Sequence, residues 1–421
     1  MKKTKIKVIG DIMLDVWCFG KYEKKSAEAP INIFEPNAIK YSLGGVGNLS
    51  NNLKSLRVDH QLLTEIGYDN NGLKIQEILK EQKIKTFFFK SKKTSTLKER
   101  FFYKNKQIFR RDSENTSINK NFINNIQKNI RNNDTVIVSD YKKGLISESL
   151  IKFLIKKNCK IFVDPKNKPE IFKNAFLVKP NMEKFEEWCG KFTEKKAFDL
   201  LKKMNWHWLV ISINKSGVFV VNKKGEKNYY KVEQIKEPNV IGAGDILFSG
   251  IIYNYLKKMD IFTSVELSAY ATTKCVAKKK IRKIKVNDFK KDIIFTNGVF
   301  DIIHKGHIDL LKFSKKIGKK LILAINSDKS VRLNKGNYRP YNPLKKRIYN
   351  LKKLKLIDQI IFFNEKTPIK LIKKIKPDVI VKGNDYSFKN VIGHKYANII
   401  LFKKKNQLSS TKLISKLNRL N

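Results

Sequence analysis

Short apolar runs at residues 5–9, 135–139, 160–163, 175–178 and 208–213 are separated by stretches in which apolar residues recur with helical spacing. Brief runs rich in valine and isoleucine predict strands, and the helical stretches between them predict crossovers. Residues 1 to about 280 therefore read as a largely parallel α/β sheet with helices on both faces. The alternation breaks and then resumes. Residues 292–297 form an apolar run entering a polar turn, residues 308–316 have helical periodicity, and further strands are predicted at 320–325 and 378–381. The break is the basic stretch from Lys278 to Lys291. It places a junction near 288 and divides the chain into parts 1–287 and 288–421, each long enough to bury a core.

Charge changes this picture less than its size suggests. The formal net charge is +51, yet only ten of the 89 basic residues are arginine and the lysines are spread throughout. Nucleic-acid readers concentrate arginine and interleave aromatics in a patch, so no specific nucleic-acid partner is expected and most lysines are read as solvated. A lysine-rich nucleic-acid-associated protein on an old enzyme fold is the alternative from a different class; it would show tight, salt-dependent binding. Cys18, Cys159, Cys189 and Cys275 are widely separated, with no C-x-x-C pair, which fits a reducing, cytoplasmic setting. Asp11 and Asp15 interrupt the N-terminal apolar run before it reaches signal or membrane-span length, so no membrane association is expected.

Candidate chemistry concentrates at two places. The first is Thr296-Asn297-Gly298-Val-Phe300-Asp301-Ile-Ile-His304-Lys-Gly306-His307, which holds two of the five histidines at a strand-to-helix junction. A helix N-terminus gathers unsatisfied N–H groups and the positive end of the helix dipole, so it can hold a triphosphate. Gly306 lets phosphate approach the backbone. Two imidazoles three residues apart can both donate to oxygens that gain charge when an α-phosphorus is attacked. Lys382 ends a predicted strand at the same sheet edge, and Ser409, Ser410 and Thr411 open a final amphipathic helix, as a second phosphate cradle or simply as its cap. The second place is Gly242-Ala243-Gly244-Asp245, where backbone amides at a helix start adjoin a carboxylate able to accept a proton from a hydroxyl. Taken alone, these four residues are equally an ordinary turn and cap.

The histidine segment resembles the H-x-G-H signature of the cytidylyltransferase-like nucleotidyltransferases. Asn326-Ser-Asp328, Arg339-Pro340, Arg347, Val381-Lys382-Gly-Asn and Ser409-Ser-Thr411 follow in the family's order. Upstream, Gly10-Asp11 with Asp15, Gly44-Gly45 with Asn48, Ser139-Asp140, Asp164-Pro165, Asn181 and the glycine–aspartate turn follow the order of ribokinase-like sugar kinases. The stretch from Leu97 to Asp112 looks like the heptose kinase in particular.

Together these motifs resemble the bifunctional heptose-7-phosphate kinase/heptose-1-phosphate adenylyltransferases. The resemblance implies a ribokinase-like N-terminal domain and a Rossmann-like nucleotidyltransferase domain. It implies ATP with Mg²⁺, heptose phosphates as substrates, and a homodimer formed through the N-terminal half. It assigns Asp245 as general base, and Asn181, Met182, Glu183, Lys184, Gly242, Ala243 and Gly244 to ATP. Asp11, Asp15, Gly45 and Asn48 fall to the sugar. In the second half, His304 and His307 are catalytic, with Thr296, Asn297, Gly298, Phe300, Asp301, Gly306, Arg339, Arg347, Lys382, Ser409, Ser410 and Thr411 around the nucleotide. The product would be ADP-heptose for the lipopolysaccharide core.

The kinase half departs from its pattern. Asn239 and Ile241 stand where the family has Asp and Thr, Lys184 stands where it has a Glu linked to magnesium, and Tyr270 and Lys274 replace small or amide residues. Either the kinase tolerates these changes, with Lys184 neutralising phosphate charge, or it is an eroded scaffold and only adenylyl transfer survives. A nucleotidyltransferase for another sugar or alcohol phosphate is a further alternative.

Overall fold

The computed structural model describes residues 6–104, 106–117, 121–213, 216–235, 238, 240–278 and 282–403. The chain divides into two compact units. One comprises Met1–Tyr229, Gln234–Tyr253 and Cys275–Ile284; the other comprises Tyr230–Glu233, Asn254–Lys274 and Lys285–Asn421.

The first unit is built on a sheet whose strands run, edge to edge, Lys227–Lys231, Gly217–Asn222, Trp208–Ile213, Leu177–Val178, Lys160–Asp164, Thr135–Ser139, Ile6–Gly10, His60–Gly67 and Thr86–Ser91. From Trp208–Ile213 to Thr86–Ser91 all pairings are parallel. Alternate residues of one strand serve opposite faces. Ile9, Val136, Val138, Val163 and Leu209 pack with Leu150, Leu154, Leu201 and Phe185 of the covering helices, while Val8, Ile137, Phe162 and Val210 are just as buried on the other side. That two-sided burial is why these strands read as continuous apolar runs.

A second, four-stranded sheet runs Glu35–Gly45, Ile12–Lys21, Thr96–Tyr103, Lys106–Ser113. The crossover pattern did not predict it. Its strands carry charged and aromatic residues together and leave one strand wholly exposed, so they lack the apolar runs that mark the central sheet.

In the second unit, five parallel strands are ordered Gln359–Phe363, Gly318–Asn326, Lys291–Gly298, Val379–Gly383, Asn398–Phe402. Chain order reverses between Lys291–Gly298 and Val379–Gly383, the crevice where open α/β sheets hold ligands. Phe295, Ile322, Ala324, Ile380 and Ile399 form its core with Ile372. At the opposite end of the strand Lys291–Gly298, Lys291 and Glu266 form an ion pair at 2.5 Å with side chains 3% and 1% exposed, and Asn398 donates to the same carboxylate at 3.2 Å. Beside it Asp292 accepts from Tyr270 at 2.9 Å and pairs with Lys274 and Lys319. Tyr270 and Lys274, which replace small or amide residues of the kinase pattern, therefore belong to an ionic network around Asp292.

Candidate active sites

In the first unit the C-terminal ends of the parallel strands deliver carboxylates and a lysine to one edge. Asp11 follows Ile6–Gly10, Asp140 follows Thr135–Ser139, Asp164 ends Lys160–Asp164, and Lys179 follows Leu177–Val178. Asp245 enters from the first turn of the helix Ala243–Leu256 and is buried. Asn48 donates to its Oδ2 at 2.6 Å, and the Tyr141 hydroxyl stands 3.3 Å from its Oδ1. Burial, reinforced by the nearby Asp164 charge, pushes the Asp245 carboxyl up to about 7 against the opposing pull of Asn48, Lys179 and Tyr141. Lys179, itself buried, holds Asp164 at 3.0 Å. A carboxyl so placed exchanges a proton near neutral pH, as base catalysis on a hydroxyl requires. Gly242 has φ +72°, and a Cβ there would lie 2.7 Å from Asn48 Nδ2, so glycine leaves room for the amide that donates to Asp245.

The other expected residues divide by what they touch. Asp15 pairs with Arg100 at 2.8 Å, and Gly45 precedes the helix Val46–Ser55 that carries Asn48. Asp11 is expected at the sugar. Its carboxylate instead accepts the backbone N–H groups of Tyr141, Lys143 and Leu145 at 2.9, 3.2 and 3.3 Å, which fixes that loop. Asn181 caps the helix Met182–Cys189 by accepting from Lys184 N–H at 3.0 Å. Met182 packs on the core, Glu183 is exposed, and Glu186 accepts from Phe192 N–H at 3.1 Å. The Lys184 ammonium pairs with Glu187 one turn on. Asn239 lies outside the described residues, and Ile241 is 39% exposed. Tyr141, Lys179 and Arg100 are additions that motif reading did not single out. Tyr141 directly follows the Ser139-Asp140 motif and Lys179 stands two residues before Asn181, so position was the signal; Arg100 lies within the stretch from Leu97 to Asp112.

In the second unit the strand Lys291–Gly298 ends in the turn bearing both histidines. His304 precedes the helix Lys305–Ile317, and its carbonyl accepts from His307 N–H at 2.9 Å. The two rings stack at 3.9 Å between centroids, with Phe300 against His307 at 4.6 Å. A Cβ on Gly306 would come within 3.2 Å of the His304 ring. Across the switch point, Lys382 Nζ donates to Asn297 O at 2.7 Å, and Asn297 Oδ1 is buried with no hydrogen-bond partner among the described residues. Gly298 closes the strand beneath Phe300, a non-glycine residue at φ +50°.

Four residues expected around the nucleotide brace this turn. Thr296 donates to Val381 O at 2.9 Å. Asp301 accepts from Arg339 at 3.1 Å and from the N–H groups of Tyr341 and Asn342. Arg347 is fully buried; it donates to Val299 O, Asn342 O and Asp328, so its guanidinium organises the loops instead of meeting a phosphate. Ser409, Ser410 and Thr411 lie outside the described residues.

The description pfkB family carbohydrate kinase matches residues 3–284, and Cytidylyltransferase-like matches residues 295–416. Fold and sites thus define a two-domain transferase, a sugar kinase joined to a nucleotidyltransferase. The Bifunctional protein HldE of Campylobacter fetus subsp. fetus is 32% identical over 97% of this chain and 98% of its own, and that of Helicobacter pylori is 31% identical over 99% of each. This chain belongs to the family of bifunctional HldE proteins. Solved folds similar to the first unit include phosphofructokinase-2 from Escherichia coli in complex with fructose-6-phosphate, at TM-score 0.57 and 16% identity over 68% of this chain and 97% of the other. Ribokinase from Thermotoga maritima gives TM-score 0.55 and 16% identity over 68% of this chain and 98% of the other.

Proposed function

We propose that the protein makes ADP-heptose for the lipopolysaccharide core in two separate reactions, with residues 1–287 acting as the kinase and 288–421 as the adenylyltransferase. The first would phosphorylate D-glycero-D-manno-heptose 7-phosphate at O1 with ATP. The second would transfer AMP from ATP to heptose 1-phosphate and release pyrophosphate. The observation that carries the reading is that a buried, proton-exchanging Asp245 and a paired His304–His307 turn occur in one chain similar over nearly its whole length to bifunctional HldE proteins.

In the kinase step Asp245 takes the proton of the attacking hydroxyl, and the amides of Gly242, Ala243 and Gly244 at the helix start face the transferred phosphoryl group. In the transferase step the sugar phosphate oxygen is already anionic and needs no base. His304 and His307 donate to the oxygens that gain charge at the α-phosphorus, and Lys382 adds positive charge from across the crevice. Mg²⁺ fits the kinase residues as an ion carried by the nucleotide. Among the described residues no three metal-ligating side chains cluster, but Asp164 lies close enough to Asp245 to raise it, and one or two carboxylates with phosphates are a usual magnesium set. Bound there, it would neutralise phosphate charge.

A homodimer is supported by the four-stranded sheet. Ile39, Tyr41 and Phe109 are 48%, 47% and 58% exposed on one of its faces. No helix among the described residues is long and apolar enough to cross a membrane, in keeping with action in the cytoplasm.

A second reading, adenylyl transfer alone, draws on Lys184, whose ammonium is paired with Glu187 where the family has a magnesium-linked Glu. Mass-spectrometric analysis of products from ATP and heptose 7-phosphate decides between them: a heptose bisphosphate supports the bifunctional enzyme, and its absence beside active AMP transfer supports the second reading.

A further inference from the structure

A carboxylate in the first turn of the helix Ala243–Leu256 has two oxygens and can turn about its own side-chain bonds, so a base at Asp245 must be aimed at the hydroxyl it serves. In this protein the two oxygens are not equivalent. Asn48 donates to Oδ2 at 2.6 Å, a short bond that holds that oxygen. The Tyr141 hydroxyl reaches the same carboxylate from a different element, 3.3 Å from Oδ1 and 3.4 Å from Oδ2. These distances are long for an O–H···O bond, and hydrogen bonds of this kind at catalytic groups commonly shorten once substrate is bound.

Both donors come from elements that are anchored independently of each other. The helix Val46–Ser55, which carries Asn48, is tied down by the buried Ser50 hydroxyl, 2.5 Å from His60 Nε2, and by Asn52, whose side chain accepts from Ile284 N–H at 3.1 Å. Tyr141 opens the segment that follows the strand Thr135–Ser139. Asp11 accepts from its N–H at 2.9 Å, and the neighbouring Asp140 accepts from the N–H groups of Lys142, Lys166 and Asn167 at 2.9, 2.8 and 2.6 Å. The backbone on both sides of Tyr141 is therefore held, which limits where its hydroxyl can go. Burial raises the phenol well above its ordinary range, with the Asp245 and Asp164 charges adding to the rise, so the group keeps its proton and acts as a donor.

We infer that Tyr141 is a positioning residue for the kinase reaction: its hydroxyl, together with the Asn48 amide on Oδ2, turns the Asp245 carboxylate so that Oδ1 faces the attacking sugar hydroxyl. The chemical step stays with Asp245. The hydroxyl proton passes to Oδ1 as the sugar oxygen bonds to the γ-phosphorus of ATP, and the bond from that phosphorus to the bridging oxygen breaks to release ADP. The inference rests on the kinase reading, and the experiment tells the failure of one from the failure of the other.

Steady-state ADP release from ATP and heptose 7-phosphate, and equilibrium binding of each, would be measured on the full chain and on Tyr141→Phe, which keeps the ring and removes only the hydroxyl. The kcat is expected to fall by about tenfold or more, the scale of a lost hydrogen bond to a charged group. KM and affinity for the sugar phosphate and for ATP should hold, because an aiming role is felt in the transition state and not in substrate binding. Unchanged affinities also report that the first unit is folded. If the ring serves only packing, Tyr141→Phe keeps its full kcat; if the hydroxyl grips the sugar, KM for heptose 7-phosphate rises while kcat is kept. Either result overturns the positioning role while the kinase stands. ADP release missing from the unaltered chain would end the kinase reading and the inference with it.

Discussion

In the proposed kinase reaction Asp245 is the general base, and its environment makes a quantitative demand of that reading. A base must be ionised to act, and burial holds this carboxyl at about 7 against an ordinary 3.8. The kinase kcat/KM should therefore rise with pH through an inflection near 7; a profile already flat above pH 5 would contradict the assignment. The same shift acts on stability with the opposite sense. The folded state binds the extra proton more tightly than the unfolded chain, so this group's contribution is fully present below pH 3.8 and is lost as pH rises through about 7. Denaturant midpoints should drop across that window, and Asp245→Asn should flatten the drop while abolishing ADP release. His307 makes a different demand. If its ring stabilises charge formed only during transfer, His307→Ala should lower the kcat for pyrophosphate release by about a hundredfold or more with little change in ATP affinity, as loss of an oxyanion-type donor does. Equal losses in both would make His307 a binding residue.

At the scale of elements, the turn between Lys291–Gly298 and Lys305–Ile317 depends on close approach. Gly306→Ala would favour the helix by propensity yet press a methyl to 3.2 Å from the His304 ring. Unchanged or raised melting temperature with a clear fall in adenylyl transfer is the expected pair; unchanged transfer would show that the ring has room to move. The strand and helix around this turn were legible because an apolar run, a polar turn and a helical period coincide. The bracing was not: Arg347, an arginine among phosphate motifs, invites a phosphate contact, and only the structure shows Asp328 and two carbonyls taking its donors. The four-stranded sheet was illegible for a related reason. Lys98, Arg100 and Phe102 alternate with Glu99, Phe101 and Tyr103, so neither face reads as apolar and no core-facing period emerges. At the other end of the same strand as the histidine turn, the Lys291–Glu266 pair is nearly dry. Lys291→Met leaves Glu266 buried with Asn398 and without its cation, and should cost roughly 3–5 kcal/mol, measured as a lowered unfolding midpoint of the second unit.

For the whole molecule, the +51 charge is the feature that composition makes loudest and the sites use least. The lysines at the two candidate sites are few and buried: Lys179 at Asp164 and Lys382 at Asn297. The domain order was readable from motif order alone, because each half carries its chemistry at the C-terminal edge of a parallel sheet. That two complete sites share one chain is the central claim, and it separates by mutation. Assays of ADP release with heptose 7-phosphate and of pyrophosphate release with heptose 1-phosphate, run on the unaltered chain, Asp245→Asn and His307→Ala, test it most directly. The account predicts both activities in the first, only pyrophosphate release in the second, and only ADP release in the third. ADP release absent from the unaltered chain, or either substitution removing both activities from a folded protein, would contradict it.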